Sequence, residues 1–114
     1  MSSSDRPDQR VAVFIPARDE SARIAATVRA CRAIPRVDLV VVVDDGSTDE
    51  TQDYARAAGA VTVRHSVTRG KASAMETGAG IVGMRDYSDG PSRLLLFIDA
   101  DLGDSATEIG RAHV

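Results

Sequence analysis

The sequence predicts an α/β fold: a doubly wound, mostly parallel sheet with helices on both faces. Three observations carry that expectation. Short β-branched runs alternate with stretches of helical periodicity along most of the chain. The run VDLVVVV, from Val37, is apolar on successive residues, so both of its faces are covered, as in a parallel sheet. Each strand is separated from the next by a helical stretch, and strands joined that way lie parallel with right-handed crossovers.

The elements follow in order. Residues 1–10, MSSSDRPDQR, are polar without periodicity and read as a flexible tail ahead of a domain over 11–114. VAVFI, from Val11, is the first strand and stops at Pro16. SARIAATVRACRA then places Ile24, Val28 and Cys31 on one helical face, with Asp19 or Ser21 as caps. VDLVVVV is the second strand and ends in Asp44-Asp45-Gly46. Ser47 and Glu50 have the spacing of a capping box, which opens a helix through Tyr54 and Ala58 that stops at Gly59. AVTVR, from Ala60, is the third strand. A helix follows Gly70-Lys71, with Met75, Ala79 and Val82 at helical spacing, and YSDGPS after it is a loop by its turn chemistry. RLLLFI, from Arg93, is the fourth strand and runs into Asp99-Ala100-Asp101. Ser105 and Glu108 repeat the capping-box spacing and start a last helix.

Composition excludes several classes of function. Of 114 residues, 43% are hydrophobic and 27% charged, as in a globular chain. Fourteen Lys and Arg against seventeen Asp and Glu give a net charge of −3, which excludes a basic nucleic-acid face. Aromatic residues are 4% and Trp is absent, so base-stacking platforms are excluded too. Cys31 stands alone, forms no internal disulfide or Cys-rich zinc site, and points to a reducing cytoplasm. The apolar runs are too short to span a bilayer.

In an open parallel sheet, ligands bind beyond the carboxyl ends of the strands, where strand order reverses. This chain collects its charges there. The first strand delivers Pro16-Ala17-Arg18-Asp19-Glu20, the second Asp44-Asp45, the third Arg64, His65, Arg69, Gly70 and Lys71, and the fourth Asp99 and Asp101. Carboxylates one residue apart on an extended segment point to the same side. As hard oxygen donors, Asp99 and Asp101 suit Mg²⁺ or Mn²⁺, with phosphate oxygens completing the coordination. The bland alternative is a strand end beside a helix cap. Glu20 and Asp45 suit acceptance of a ring N–H from uracil or guanine, which adenine lacks. Their bland alternatives are a first-turn acid and an Asx turn. Lys71 suits a diphosphate as a point charge, or is a solvated lysine at a helix start.

Other matches carry no site. The run Gly78-Ala79-Gly80-Ile81-Val82-Gly83 spells GxGxxG but lies inside a helical pattern, so its glycines read as helix–sheet packing. His65 and His113 form no ligand spacing and read as ordinary loop and terminal histidines. Cys31 reads as a small core residue.

The ordered motifs IPARDE, VVVDDGSTDET, RGKASAMETG and LLLFIDADL resemble the nucleotide-binding half of GT-A glycosyltransferases. They are most similar to family 2, with its polyprenyl-phosphate sugar transferases, and to the retaining glucosyl-phosphoglycerate synthases. The resemblance implies metal-dependent transfer of a sugar from a UDP- or GDP-sugar to an unknown acceptor. It implies that Pro16, Ala17 and Glu20 line the nucleoside pocket, that Asp45 contacts the base and that Asp44 supports the loop. It places Lys71 at the diphosphate, Asp99 on the ribose side and Asp101 on the metal. The chain has Arg18-Asp19-Glu20 where the family commonly has an aromatic residue before Asn-Glu, and Ala72 where it often has a third residue Gly. The family's acceptor half and catalytic base have no counterpart in these residues, so the chain reads as the donor-binding part, inactive alone. The exposed edge of its sheet invites a homo-oligomer. The competing readings are a non-catalytic nucleotide-binding fragment and a sugar nucleotidyltransferase, which needs a Gly-rich phosphate loop where this chain has PARDE.

Overall fold

In the computed structural model, which describes residues 9–100, strands and helices alternate along the chain. They are β1 (Val11–Ala17), α1 (Ile24–Arg32), β2 (Val37–Asp45), α2 (Thr51–Ala57), β3 (Val61–His65), α3 (Lys71–Asp89) and β4 (Leu94–Phe97). The sheet order is β3-β2-β1-β4, and every neighbouring pair is parallel. The expected fold class is therefore the observed one.

Alternation along β1 and β2 divides the core into two faces. Val13, Ile15, Val40 and Val42 pack with Ile24, Val28 and Cys31 of α1 and Ala55 of α2. Ala12, Phe14, Leu39, Val41 and Val43 meet Ala74 and Val82 of α3 on the opposite face. This is why β2 is apolar without a break from Leu39 to Val43: over those residues neither of its faces meets water. Burial pushes the Cys31 thiol up to about 11, which leaves it inert as a small core residue.

The helix α3 approaches the sheet closely at one point. A Cβ on Gly78 would lie 2.6 Å from Cδ2 of Phe14, whereas at Gly80 and Gly83 it would meet open space. The GxGxxG run thus lies within a helix, as expected, but only its first glycine serves packing.

Several boundaries differ from expectation. Pro16 does not end β1, since it pairs with Val43 and Ala17 pairs with Asp44. What proline ends is the ladder to β4. Ile98 donates its N–H to the Phe14 carbonyl, and the next rung would need an N–H on residue 16, which proline lacks. Neither expected helix cap forms: Arg23 and Glu50 hold the N-cap positions of α1 and α2 without side-chain cap bonds. The side chains of Asp19, Ser47 and Asp49 are engaged between loops instead. Tyr87 and Ser88 belong to α3 rather than to a loop, and Gly90, at φ 114°, ends the helix. Asp101 and the helix expected from Ser105 and Glu108 lie outside the described residues. Among the described residues the strand β4 forms a sheet edge, and Leu94, Leu95 and Phe97 on it are exposed. Among the described residues no helix is long and apolar enough to cross a membrane.

Candidate functional site

The chain builds outward from β1 to β2 and β3, then crosses back to place β4 on the other side of β1. The carboxyl ends of β1 and β4 are thus the switch point of the sheet. A cavity of about 270 Å³ opens there. Pro16, Ala17, Arg18 and Glu20 line it from β1 and the loop that follows, and Asp45 lines it from the end of β2. Thr68, Gly70, Lys71 and Ala74 contribute from the third crossover, Asp99 and Ala100 from the end of β4. Six residues expected at a site, Pro16, Ala17, Glu20, Asp45, Lys71 and Asp99, therefore share one cavity. Asp44 does not line it. It is buried, and its Oδ1 accepts the Ser47 N–H at 2.9 Å.

The wall after β1 is stitched to the loop after β2. Asp19, at φ 53°, donates its N–H to Ser47 Oγ at 2.8 Å and accepts the Thr48 N–H at 2.8 Å. Glu20 donates its N–H to Thr51 Oγ1 at 2.9 Å, and Ser21 donates to Asp49 Oδ2 at 3.2 Å. Asp49 also accepts from the backbone and hydroxyl of Thr51. Burial pushes the Asp49 carboxyl up, but its bonds to Thr51 and Ser21 hold it below the usual carboxylate range. These contacts fix where Glu20 enters the cavity. From the sequence Ser47 reads as half of a capping box, and Asp49 and Thr51 carry no expected role. The signal was the density of short polar side chains in DGSTDET, read as helix capping when it joins loop to loop.

Asp45 organises the opposite wall. Its Oδ1 accepts the Arg69 N–H at 2.9 Å and faces His65 Nδ1 at 2.8 Å, while Oδ2 accepts the Gly70 N–H at 2.9 Å. Burial raises its pKa, but the Arg69, His65 and Gly70 hydrogen bonds outweigh burial and hold the carboxyl low. The Thr68 hydroxyl donates to the Asp45 carbonyl at 3.1 Å. His65 corrects the sequence reading. It is no loop histidine but the buried last residue of β3, with Nε2 2.9 Å from Thr77 Oγ1 on α3.

At the cavity rim, Lys71 Nζ lies 2.9 Å from Asp99 Oδ2. Among the described residues no three His, Cys, Asp or Glu side chains gather as a metal cluster. Asp99 nevertheless puts a hard carboxylate donor at the rim, the donor type that suits Mg²⁺ or Mn²⁺ when phosphate oxygens supply further ligands. Its expected partner, Asp101, lies outside the described residues.

A parallel sheet with a charged cavity at its switch point is the nucleotide-binding arrangement of doubly wound α/β enzymes. The profile of glycosyl transferase family 2 matches residues 12–110, and the chain belongs to that family. It is 32% identical over 96 residues to the glucosyl-3-phosphoglycerate synthase of Mycolicibacterium smegmatis, covering 82% of this chain and 31% of that protein. It is 42% identical over 59 residues to the succinoglycan biosynthesis protein ExoU of Rhizobium meliloti, covering 52% of this chain and 17% of that protein. Glucosyl-3-phosphoglycerate synthase from Mycobacterium tuberculosis, solved with Mn²⁺, uridine diphosphate and glucosyl-3-phosphoglycerate, superposes with a TM-score of 0.58 at 28% identity. That match covers 81% of this chain and 33% of the solved one. The same enzyme has also been solved with Mg²⁺ and uridine diphosphate. The chain thus spans about a third or less of the length of these relatives.

Proposed function

We propose that residues 11–114 form the donor-binding half of a glycosyltransferase. The cavity would take the nucleoside diphosphate of a UDP- or GDP-sugar, and the whole protein would transfer the sugar to an acceptor. One observation carries the reading: Glu20, Asp45, Lys71 and Asp99 come from four different segments and line a single cavity at the switch point. The Mn²⁺, Mg²⁺ and UDP complexes of the related synthase support it.

Each residue has a role in this reading. Pro16 and Ala17 form the apolar floor under the nucleoside. Glu20 and Asp45 offer acceptors to a ring N–H of the base. A carboxylate accepts about four hydrogen bonds. Asp45 uses three on Arg69, Gly70 and His65, which leaves about one for a ligand. Asp44 holds the loop from behind. Lys71 meets the diphosphate as a point charge. Asp99, with Asp101, would hold Mg²⁺ or Mn²⁺, which offsets the negative charge gathered on a departing diphosphate. The lone, buried and inert Cys31 supports a reducing, cytoplasmic setting. The exposed edge of β4 supports association between copies, which light scattering reads directly.

Calorimetric titration of UDP, GDP and ADP, with and without Mn²⁺, tests the reading. UDP or GDP should bind more tightly than ADP, and Mn²⁺ should strengthen binding. ADP binding equal to both, or no effect of Mn²⁺, would refute it.

A further inference from the structure

Beyond the residues assigned to the nucleotide itself, the buried His65 has no role in the proposed function, yet it is wired into the cavity wall. The loop between β3 and α3 is exposed at residues 66–69 and has little packing of its own. Its recorded anchors converge on Asp45: the Arg69 and Gly70 N–H groups bond its carboxylate, and the Thr68 hydroxyl bonds its carbonyl. Gly70, at φ 94°, directly precedes Lys71, the first residue of α3. The orientation of the Asp45 carboxylate thus decides where Lys71 starts. His65 fixes that orientation. Because Asp45 is held ionised and only accepts, Nδ1 carries the proton toward it, and Nε2 meets the Thr77 hydroxyl. The line Thr77–His65–Asp45–Gly70 ties α3, β3, β2 and the loop together at a single point.

We propose that His65 is a positioning residue for diphosphate binding: through Asp45 it sets the loop that presents Lys71 to the cavity. This rests on the donor-binding reading for its functional consequence, though not for the loop itself. His65→Leu removes both ring nitrogens. His65→Asn keeps an N–H donor near the place of Nδ1. Thr77→Val removes only the outer end of the line.

Two measurements test the proposal. The first is amide hydrogen exchange, which needs no nucleotide. In His65→Leu the Arg69 and Gly70 amides should exchange faster, while the amides of β1 and β2 keep their protection. His65→Asn should restore most of it, and Thr77→Val should give an intermediate result. Unchanged exchange at Arg69 and Gly70, or loss spread evenly over the sheet, would overturn the proposal. The second measures UDP and uridine affinities. Losing one hydrogen bond's worth of positioning should weaken UDP about two- to tenfold, and more than it weakens uridine, which loses only through the contact of Asp45 with the base. Lys71→Met added to His65→Leu should then cost less than it does alone, because both changes remove the same contact. Equal losses for UDP and uridine, or additive losses, would overturn the link to Lys71. A parent chain that binds neither ligand would instead refute the donor-binding reading, and the exchange result would still decide the loop.

Discussion

Lys71 and Asp99 close an ion pair of 2.9 Å across the rim of the cavity, joining the start of α3 to the end of β4. The two side chains are 61% and 37% exposed, so their attraction is screened and contributes little to folding. A pair so placed exchanges readily for other partners. A diphosphate offers anionic oxygens to the lysine, and a divalent cation offers positive charge to the aspartate.

Lys71→Met should therefore leave stability within about 0.5 kcal/mol of the parent. Loss of one charge-assisted hydrogen bond should weaken UDP roughly tenfold or more. Uridine, which has no phosphate, should bind as before. Parallel calorimetry of the two ligands measures the contrast. A loss shared equally by both would take Lys71 away from the diphosphate.

The glycines of α3 should respond in opposite directions. Gly78→Ala drives a methyl group into the Phe14 ring and should destabilise by about 1–3 kcal/mol, as overpacked sites do. Gly80→Ala and Gly83→Ala meet open space within a helix and should stabilise by about 0.5–1 kcal/mol each. Denaturant midpoints at equal slope read all three.

Most of the fold was legible because its signals are local. Runs such as VDLVVVV, the helical spacing of Ile24, Val28 and Cys31, and the breaks at Gly59 and Gly70 each sit within a few residues. The site was legible as strand ends, since a parallel sheet sends all of them to one edge. Pairings across the chain were not. Ser47 looks like a cap residue because it stands three residues before Glu50, and only the fold shows its bond to Asp19 and that of Asp49 to Ser21, each 28 residues away. His65 was missed for the same reason: its partners Asp45 and Thr77 lie 20 and 12 residues off, so no spacing rule links them.

The acid limb of stability should depend on Asp45 and Asp49. Both carboxyls are held below their ordinary value in the folded chain. Around pH 4 the unfolded chain therefore takes up protons that the folded one refuses. Their contribution is complete above that pH and is lost as pH falls through the lower folded values. Asp49→Asn should lower stability at pH 7 and flatten its decline between about pH 5 and 2. A slope as steep as the parent's would assign the acid limb to other groups.

In the proposed site a nucleoside diphosphate and a divalent cation meet at the carboxyl ends of β1 and β4. Paramagnetic broadening of amide resonances by Mn²⁺, recorded with and without UDP, tests it most directly. With UDP present, the amides of Ala17, Gly70, Lys71 and Ala100 should broaden strongly. Those of Arg32, Gly59 and Arg85, which line a separate cavity, should keep their intensity. Broadening centred on the second group, or none that depends on UDP, would contradict that arrangement.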